Sequence, residues 1–272
     1  MKYWKYIFGL LSLILVCLVI ALFQWPDKHL HITACDVGQG DAILTSFGTT
    51  QVLTDGGPDS SVLTCLGNHM PFYDHTIELV ISTHPDADHL AGLVGVLQNY
   101  KVDKIIINPV DPGTSVYQAL VFEVGGQGIE VVAPTLGMRL RIGLIYLDIL
   151  SRYDPIILDT NYNSVVYKLG FGHFSSLFLG DVPPEISDLL SKQVGKVNYI
   201  KIPHHGSING LTDNLLKATM PDIAVISVGK NSWGFPRPEI LDILAKYNVK
   251  VLRTDQMGDI EVETNGKEYW IK

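Results

Sequence analysis

The 272-residue sequence has little cysteine, no excess of positive charge and no low-complexity linker or internal repeat. Its three cysteines, Cys17, Cys35 and Cys65, form neither a metal-binding spacing nor a disulfide framework. Cys35 and Cys65 can pair, but the sequence favours buried free thiols. The formal net charge of −8 argues against a broadly basic surface for nucleic acid, although a local basic strip is compatible with it.

Apolar residues, in contrast, make up 47% of the chain, enough for a large core. An uncharged run from Tyr6 to Trp25 follows Lys2 and Lys5, and its length of about 20 residues is that of a membrane-spanning helix. The bulky residues at its end favour a retained anchor over a cleaved signal peptide. The two lysines predict a cytoplasmic N-terminus and an extracytoplasmic body.

After this segment, residues 1–28, we expect a single domain over residues 29–272. Short apolar runs alternate there with amphipathic stretches, which predicts an α/β (α+β) chain whose mostly antiparallel strands form a layered sandwich flanked by helices. Strands are predicted at 31–35, 42–47, 51–54, 79–82, 104–107, 130–132, 144–150, 165–169, 175–179, 198–202, 223–227, 249–253, 258–263 and 268–271, and helices at 88–100, 116–124, 184–192, 211–219 and 237–247.

Two histidines and two aspartates crowd the loop His84-Pro-Asp86-Ala-Asp88-His89. Aspartates at a helix start stabilise the helix dipole and cap the helix, which accounts for one of them. Neutral imidazoles gain little there, so helix capping leaves both histidines unexplained. Imidazole and carboxylate together suit Zn²⁺, Mn²⁺ or iron, and we therefore interpret the loop as a source of metal ligands.

Three further apolar strands run into small, polar turns in the same way. Asp55 follows the strand 51–54 beside two glycines, Asp181 follows Leu-Phe-Leu-Gly180, and His204 and His205 follow Tyr-Ile-Lys-Ile-Pro. One such turn alone is weak evidence, because Asp-Gly after a strand is usually only a turn. Four together indicate one site built at several strand ends.

With these motifs the sequence resembles the metallo-β-lactamase superfamily and, within it, the soluble domain of the DNA-uptake channel protein ComEC. The resemblance covers nearly all of residues 30–264. Its motifs are Asp36-Val-Gly-Gln-Gly-Asp41, Leu53-Thr-Asp-Gly-Gly57, His84-x-Asp-x-Asp-His89, Asn161-x-Asn-Ser164, Leu179-Gly-Asp181, Ile202-Pro-His-His-Gly-Ser207, Val228-Gly-Lys-Asn231 and Arg253-Thr-Asp-Gln256-x-Gly.

The resemblance implies an αββα sandwich with two divalent metal ions, Zn²⁺ or Mn²⁺, at one edge. It also implies the role of each residue. One ion would be held by His84 and Asp86, and the other by Asp88, His89 and either His204 or His205. Asp181 would bridge the two ions, and Asp55 would orient a ligand. An amide of Asn161 or Asn163 would complete the coordination of the first ion.

Several roles stay open at this level. Side chains alternate along a strand, so only one of His204 and His205 is expected at the metal, and proximity to the strand end favours His204. The other histidine, with Lys201 or Lys230, would serve the leaving group or bind phosphate, and Asp88 would accept a proton. Asp36 and Asp41, together with Gln39, are interpreted as stabilising the glycine-rich turn in preference to binding metal.

Two departures from the family pattern bear on function. Aspartate stands at position 86 where metallo-β-lactamases usually have histidine, and Phe235 stands where ComEC-like sequences usually have histidine. The carboxylate-rich set and the nearby lysines favour a phosphodiesterase acting on DNA or another phosphodiester. The alternatives are a lactone, β-lactam or thioester hydrolase, and an accessory protein with weakened catalysis. With only one long apolar run the chain cannot form a channel itself, but a DNA-uptake channel is a possible partner.

Overall fold

A computed structural model describes residues 3–23, 27–109, 111–151 and 159–272. Within these ranges the chain forms eight α-helices and fifteen strands. The helices are α1 (Trp4–Phe23), α2 (Ser61–His69), α3 (Ala87–Asn99), α4 (Ser115–Gln127), α5 (Pro184–Leu190), α6 (Asp213–Thr219), α7 (Pro238–Lys246) and α8 (Thr254–Met257). The strands are β1 (Leu30–Ala34), β2 (Ile43–Phe47), β3 (Thr50–Thr54), β4 (Thr76–Ser82), β5 (Lys101–Ile107), β6 (Glu130–Val132), β7 (Arg139–Ile142), β8 (Ile145–Ile149), β9 (Tyr167–Phe171), β10 (Phe174–Phe178), β11 (Tyr199–Lys201), β12 (Ile223–Ile226), β13 (Lys250–Arg253), β14 (Ile260–Thr264) and β15 (Tyr269–Ile271).

The strands form two sheets that pack face to face. One has eight strands in the order β15-β14-β1-β2-β3-β4-β5-β6, and the other has seven in the order β13-β12-β11-β10-β9-β8-β7. One buried core contains residues of both sheets. A second lies between the first sheet and α2–α4, and a third between the second sheet and α5–α7. The predicted α/β sandwich with helices on both outer faces is therefore present.

The alternation of side chains along β12 shows how the sequence builds these layers. Ile223 and Val225 join the core between the sheets, whereas Ala224 and Ile226 join the core under the helices. Because both faces of this strand are buried, its sequence is a continuous apolar run instead of an alternating one.

The prediction of mostly antiparallel strands holds by a narrow margin, because seven of the thirteen strand pairs in the described residues are antiparallel. The pairs β3-β4, β4-β5 and β5-β6 of the first sheet are parallel, and so are β10-β11, β11-β12 and β12-β13 of the second. The helices α2 to α4 and the helices α5 to α7 make the six crossovers that these parallel pairs need. This arrangement brings the carboxyl ends of β3, β4, β10 and β11 to one edge of the sandwich.

The N-terminal helix α1 covers most of the predicted anchor of residues 6–25, of which residues 24 and 25 lie outside the described ranges. No helix in the described part of the chain is both long enough and apolar enough to cross a membrane. The predicted transmembrane helix therefore has no support from the structure.

Cys35 and Cys65 form a disulfide, with their Cα atoms 5.8 Å apart, so the prediction of free thiols was wrong for this pair. The bridge ties the end of β1 to α2, a helix that the sequence analysis missed. Both residues are buried in the core beneath the helices, whereas Cys17 is free and exposed.

An ionic network joins α2 to β1 and β14 of the first sheet. Glu261 on β14 faces Nδ1 of His31 at 2.8 Å and Nδ1 of His69 at 3.4 Å. Nε2 of His69 lies 3.0 Å from Asp259. Hydrogen bonds from His31 and His69 hold the pKa of the Glu261 carboxyl well below its usual range.

Candidate metal centre

The candidate site is built where strands of both sheets end. Asp55 follows β3 directly, and the loop from His84 to Asp86 joins β4 to α3. Asp181 follows β10, and His205 follows β11. Parallel neighbours in each sheet place these ends side by side, which is where polar groups of different chain segments converge in α/β proteins.

The carboxylate of Asp181 lies at the centre of the site, surrounded by three buried imidazoles. Its Oδ2 atom is 3.3 Å from Nε2 of His89, 3.6 Å from Nε2 of His205 and 3.9 Å from Nε2 of His84. The side chains of His84 and His89 are fully buried, and His205 is almost so. His84, His89 and Asp181 can together hold one metal ion, because their ligand atoms lie within 4.8 Å of one another.

Asp55 fixes the orientation of two of these imidazoles. Its Oδ2 accepts from Nδ1 of His89 at 2.9 Å and from the hydroxyl of Thr83 at 2.6 Å, and its Oδ1 accepts from the Thr83 amide at 2.7 Å. The Thr83 hydroxyl in turn lies 3.0 Å from Nδ1 of His84. Since the hydroxyl donates to Asp55, it accepts from His84. Both imidazoles thus carry a proton on Nδ1, and each Nε2 faces Asp181.

The third imidazole is oriented by the main chain. Nδ1 of His205 donates to the carbonyl oxygen of Ser227 at 2.9 Å, and the carboxylate of Asp41 lies 3.4 Å from the same nitrogen. Asp41 also approaches Nδ1 of His89 at 4.0 Å. Asp41, His89 and His205 form a second group with the geometry to hold an ion.

All three Nε2 atoms are buried and have no hydrogen-bond partner within the described part of the chain. A buried polar atom without a partner is costly, so three such atoms that face one carboxylate are suited to binding a cation. Imidazole nitrogens held by a second polar group, together with a carboxylate, are the ligands that divalent zinc, manganese and iron prefer. The residues present therefore fit a metal centre.

The electrostatics of the cluster favour positive charge. Burial alone would raise the pKa of the Asp181 carboxyl, but the charges of His89 and His205 bring it well below its usual value. Burial lowers the proton affinity of His205, yet the charge of Asp181 and the adjacent carboxylates of Asp41 and Asp88 raise its pKa to about 9. Burial and the neighbouring His89 lower the pKa of His84. Metal ions compete with protons for these nitrogens.

The two aspartates of the loop lie at the mouth of the cluster. Asp88, whose side chain is 36% exposed, is 3.2 Å from Nε2 of His205. Asp86 is 43% exposed, lies 3.8 Å from Nε2 of His84 and accepts a hydrogen bond from Thr160 at 2.9 Å. Asp86 takes the N-cap position of α3 but its side chain makes no cap hydrogen bond. Helix capping therefore does not account for its carboxylate.

The structure brings His205 to the cluster instead of the favoured His204. The strand ends at Lys201, so side chains no longer alternate at these positions, and both histidines have left-handed backbone angles, with φ of 51° and 52°. The imidazole of His205 is thereby turned inward. His204 is half-buried, and its backbone amide donates to Asp181 at 3.1 Å.

Lys201 and Asp41 form a buried ion pair, with Nζ 2.6 Å from the carboxylate and both side chains almost fully inaccessible. Lys201 is therefore placed to neutralise Asp41 and not to reach a substrate. The role predicted for Asp41, stabilisation of the glycine-rich turn, therefore omits its ion pair with Lys201. A sequence signal existed, because a lysine inside the apolar run Tyr-Ile-Lys-Ile requires a buried acidic partner.

The remaining predicted residues lie around the cluster. Asp36 accepts from the amide of Gly38 at 3.3 Å within the glycine-rich turn. Oδ1 of Asn161 is buried without a hydrogen-bond partner in the described residues, and Asn161 lines a cavity together with Asp181 and His204. Asn163 is buried, and its carbonyl accepts from Asn108.

A cavity of about 680 Å³ opens over the metal ligands. One wall carries Asp86 and Asp88, and the floor carries Asp181 and His205. The opposite wall is the segment from Lys230 to Phe235. Among the described residues that line this cavity, Lys230 alone carries a lysine or arginine charge.

Comparison with known proteins identifies relatives by sequence. No protein-family model matches the chain. Recombination protein 2 of Haemophilus influenzae is 27% identical over 257 residues, which cover 92% of this chain and 31% of that protein. ComE operon protein 3 of Bacillus subtilis is 26% identical over 263 residues, which cover 88% of this chain and 34% of that protein. The chain thus spans about a third of the length of these curated relatives.

Solved structures identify the fold. The metallo-β-lactamase fold protein YhfI from Bacillus subtilis superposes with a TM-score of 0.61 at 12% identity. The superposition covers 88% of this chain and 100% of that protein. The chain has the metallo-β-lactamase fold. The resemblance found in the sequence is therefore confirmed, in the fold by YhfI and in the sequence by ComE operon protein 3.

Other proteins with the metallo-β-lactamase fold differ in the metal they hold. CmlA, a diiron β-hydroxylase from Streptomyces venezuelae, has a TM-score of 0.59 at 15% identity and covers 88% of this chain and 54% of that protein. Zn²⁺-bound PqqB from Methylobacterium extorquens has a TM-score of 0.54 at 12% identity and covers 83% of this chain and 97% of that protein. The metallo-β-lactamase fold by itself therefore does not select one metal.

Proposed function

We propose that this chain is a metal-dependent hydrolase that cleaves phosphodiesters, with DNA as the leading substrate. The observation that supports it most is the cluster of three buried Nε2 atoms around Asp181, at the floor of an open cavity whose wall carries Lys230. The carboxylates of Asp86 and Asp88 at the same mouth favour phosphoryl over amide chemistry. The similarity to Recombination protein 2 supports a nucleic-acid substrate.

His84, His89, His205 and Asp181, with Asp86 and Asp88 at the mouth, would hold two divalent ions, Zn²⁺ or Mn²⁺. Ions bound there would supply Lewis acidity to a phosphoryl oxygen and lower the pKa of a water molecule.

The residues of the chain have separate tasks around the reacting phosphate. Lys230 is exposed on the cavity wall and can bind a phosphate oxygen by charge. Asp88 is half-buried and beside His205, where its carboxylate can accept a proton from the attacking water. His204 lines the same cavity and is the candidate to protonate the leaving oxygen. Lys201 has no such task, because it is buried against Asp41.

The test is an activity profile of the purified chain loaded with Mn²⁺ or with Zn²⁺. The substrates are bis(p-nitrophenyl) phosphate, single-stranded and double-stranded DNA, and a chromogenic β-lactam. Asp181→Ala should reduce phosphodiester turnover by more than about a hundredfold, because transition-state stabilisation by a metal is worth several kcal/mol. Asp36→Asn is the matched control, since Asp36 is an exposed acid whose side chain accepts from the Gly38 amide within the glycine-rich turn.

Other outcomes would favour the other candidates. Hydrolysis of the β-lactam without phosphodiesterase activity would replace the proposal with the lactone or β-lactam class. Bound metal without turnover of any substrate would favour an accessory protein, for which Phe235 in place of the family histidine is the supporting observation. Absence of metal binding under all conditions would refute the metal centre itself.

We also propose that the domain works in an oxidising compartment beside a DNA-uptake channel. Disulfides persist in oxidising compartments, and the bridge between Cys35 and Cys65 supports this location. Resemblance to the soluble domain of a channel protein supports the partner. Crosslinking in cells followed by identification of the attached protein tests the partner.

A further inference from the structure

An aromatic row runs from solvent to the metal centre along one wall of the cavity. The indole of Trp233 is 61% exposed and lies nearly parallel to the ring of Phe235, with centroids 6.1 Å apart and an angle of 22°. Phe235 in turn meets the imidazole of His204 edge-on, at 5.8 Å and 74°. His204 is bonded through its amide to Asp181. One face of the indole is covered by Phe235 and the side chain is otherwise largely open.

The segment that carries this row is held in place before any ligand binds. The side-chain amide of Asn231 donates to the carbonyl oxygens of Gly229 and Phe235 at 2.9 and 3.0 Å, and its oxygen accepts from the Phe235 amide at 2.9 Å. The segment also rests on the glycine-rich turn. A Cβ at Gly229 would lie 2.4 Å from the backbone of Gly38, so only glycine allows this approach.

Tryptophan is enriched at binding interfaces, where its large rigid ring supplies contact area, and the indole of Trp233 is open to such a contact. Three features of the cavity select the kind of partner. The indole lies in the same cavity as the metal ligands, Lys230 supplies a positive charge at the start of the same segment, and the open indole is flat and aromatic. A ligand that matches all three has an anionic backbone and a flat ring next to it.

The geometry points to Trp233 as a stacking platform for an unpaired nucleobase beside the phosphate that is cleaved. This inference rests on the proposed phosphodiesterase function and specifies its substrate as single-stranded nucleic acid. Bases inside a duplex are already stacked on both faces, whereas an unpaired base has a face free for an aromatic side chain. Lys230 would then hold the neighbouring phosphate by charge, and the preformed loop would bind the base at little entropic cost.

The test is an abasic scan with the full chain. A 12-nucleotide single strand is compared with versions in which one nucleotide at a time lacks its base. Dissociation constants come from fluorescence anisotropy on metal-depleted protein, where no cleavage occurs, and KM and kcat from the metal-loaded protein. The variants are Trp233→Ala, Trp233→Phe and, as a matched control, Trp270→Ala, whose indole is also exposed but lies on β15.

We expect one abasic position to weaken binding by the wild-type chain about 5- to 150-fold, the range for one base stacked on one aromatic side chain. Trp233→Ala should weaken binding of the intact strand by a similar factor and should abolish the further effect of the abasic position, because both changes remove one contact. Trp233→Phe should recover part of the affinity. The change should appear in KM more than in kcat.

Failure of the stacking platform and failure of the proposed function give different results. If the strand is cleaved but no abasic position matters, or if Trp233→Ala and Trp270→Ala behave alike, the stacking platform is refuted and the phosphodiesterase proposal stands. If neither single-stranded nor duplex DNA is bound or cleaved while a small phosphodiester is hydrolysed, stacking of a nucleobase is also refuted. If no phosphodiester of any kind reacts, the proposed function fails and the platform fails with it.

Discussion

Replacement of Asp55 by asparagine exchanges one carboxylate oxygen for an NH₂ group and should weaken metal binding at the candidate centre. The carboxylate accepts three hydrogen bonds, from the Thr83 amide at 2.7 Å, from the Thr83 hydroxyl at 2.6 Å and from Nδ1 of His89 at 2.9 Å. Asparagine has a single oxygen, so its NH₂ group must face either the Thr83 amide or His89. If the NH₂ group faces the Thr83 amide, two buried donors face each other without an acceptor. If it faces His89, the imidazole must move its proton to Nε2, where a metal ligand needs a lone pair.

The expected size of the effect follows from these contacts. A buried donor without an acceptor costs about 1–3 kcal/mol. If that cost falls on the Nδ1 proton of His89, the metal affinity drops about 5- to 150-fold at 1.4 kcal/mol per factor of ten. Loss of a group that supports a ligand generally costs about 10- to 100-fold, in agreement with this range. His84 is affected too, because Asp55 orients it through the Thr83 hydroxyl.

The assay is competition between the protein and a chromophoric chelator for Zn²⁺ at fixed pH, with the melting temperature of the metal-free protein measured in parallel. Asp36→Asn is the control, because its exposed side chain accepts one bond, from Gly38, at 3.3 Å. A variant Asp55→Asn that is folded and binds Zn²⁺ within twofold of the wild type would refute the claim that Asp55 sets the state of both imidazoles.

Three further outcomes are expected. His205→Ala should lower metal content measured by mass spectrometry more than about tenfold, whereas His204→Ala should leave it unchanged; the reverse result would restore the ligand favoured from the sequence. Cys35→Ser removes the disulfide between residues that are 30 positions apart. The free energy of unfolding should fall by about 3–4 kcal/mol, and the Tm with it. A variant with the Tm of the oxidised wild type would contradict a stabilising role of the disulfide. Glu261→Gln should destabilise most between about pH 4.5 and 6.5, because hydrogen bonding raises the pKa of His31 against the cost of burial and lowers that of Glu261. The difference in Tm between wild type and variant should shrink as the pH rises through the raised pKa of the imidazole; a constant difference from pH 5 to 9 would contradict the network.

Much of the fold could be predicted from the sequence because apolar runs are bounded by turn residues throughout. The parallel pairing could not, since neighbours in a sheet are chosen by contacts between distant segments. The same limit applies to the disulfide, which requires the Cα atoms of Cys35 and Cys65 to come within about 7 Å. The helix α2 places Cys65 there, and that helix carries a weak sequence signal.

The candidate site shows the same division. Asp55, Asp181 and the histidines near position 84 were predictable because each follows an apolar strand. The choice between His204 and His205 was not, because it depends on two left-handed backbone angles that no local pattern announces. The partner of Lys201 was also hidden, since Asp41 lies 160 residues earlier in the chain and meets it only in the folded core.

The centre and the mouth of the site are under different physical constraints. At the centre, each imidazole has its Nδ1 fixed by a partner and its Nε2 facing Asp181, so a change at any position leaves a buried polar atom without its partner. At the mouth, Lys230 and Trp233 are exposed, and their replacement leaves no buried group unsatisfied. The side chains of Lys230 and Trp233 are therefore less constrained by the fold than those at the centre. The departure from the family pattern at Phe235 falls in this segment, so it bears on what is bound and not on whether a metal is held.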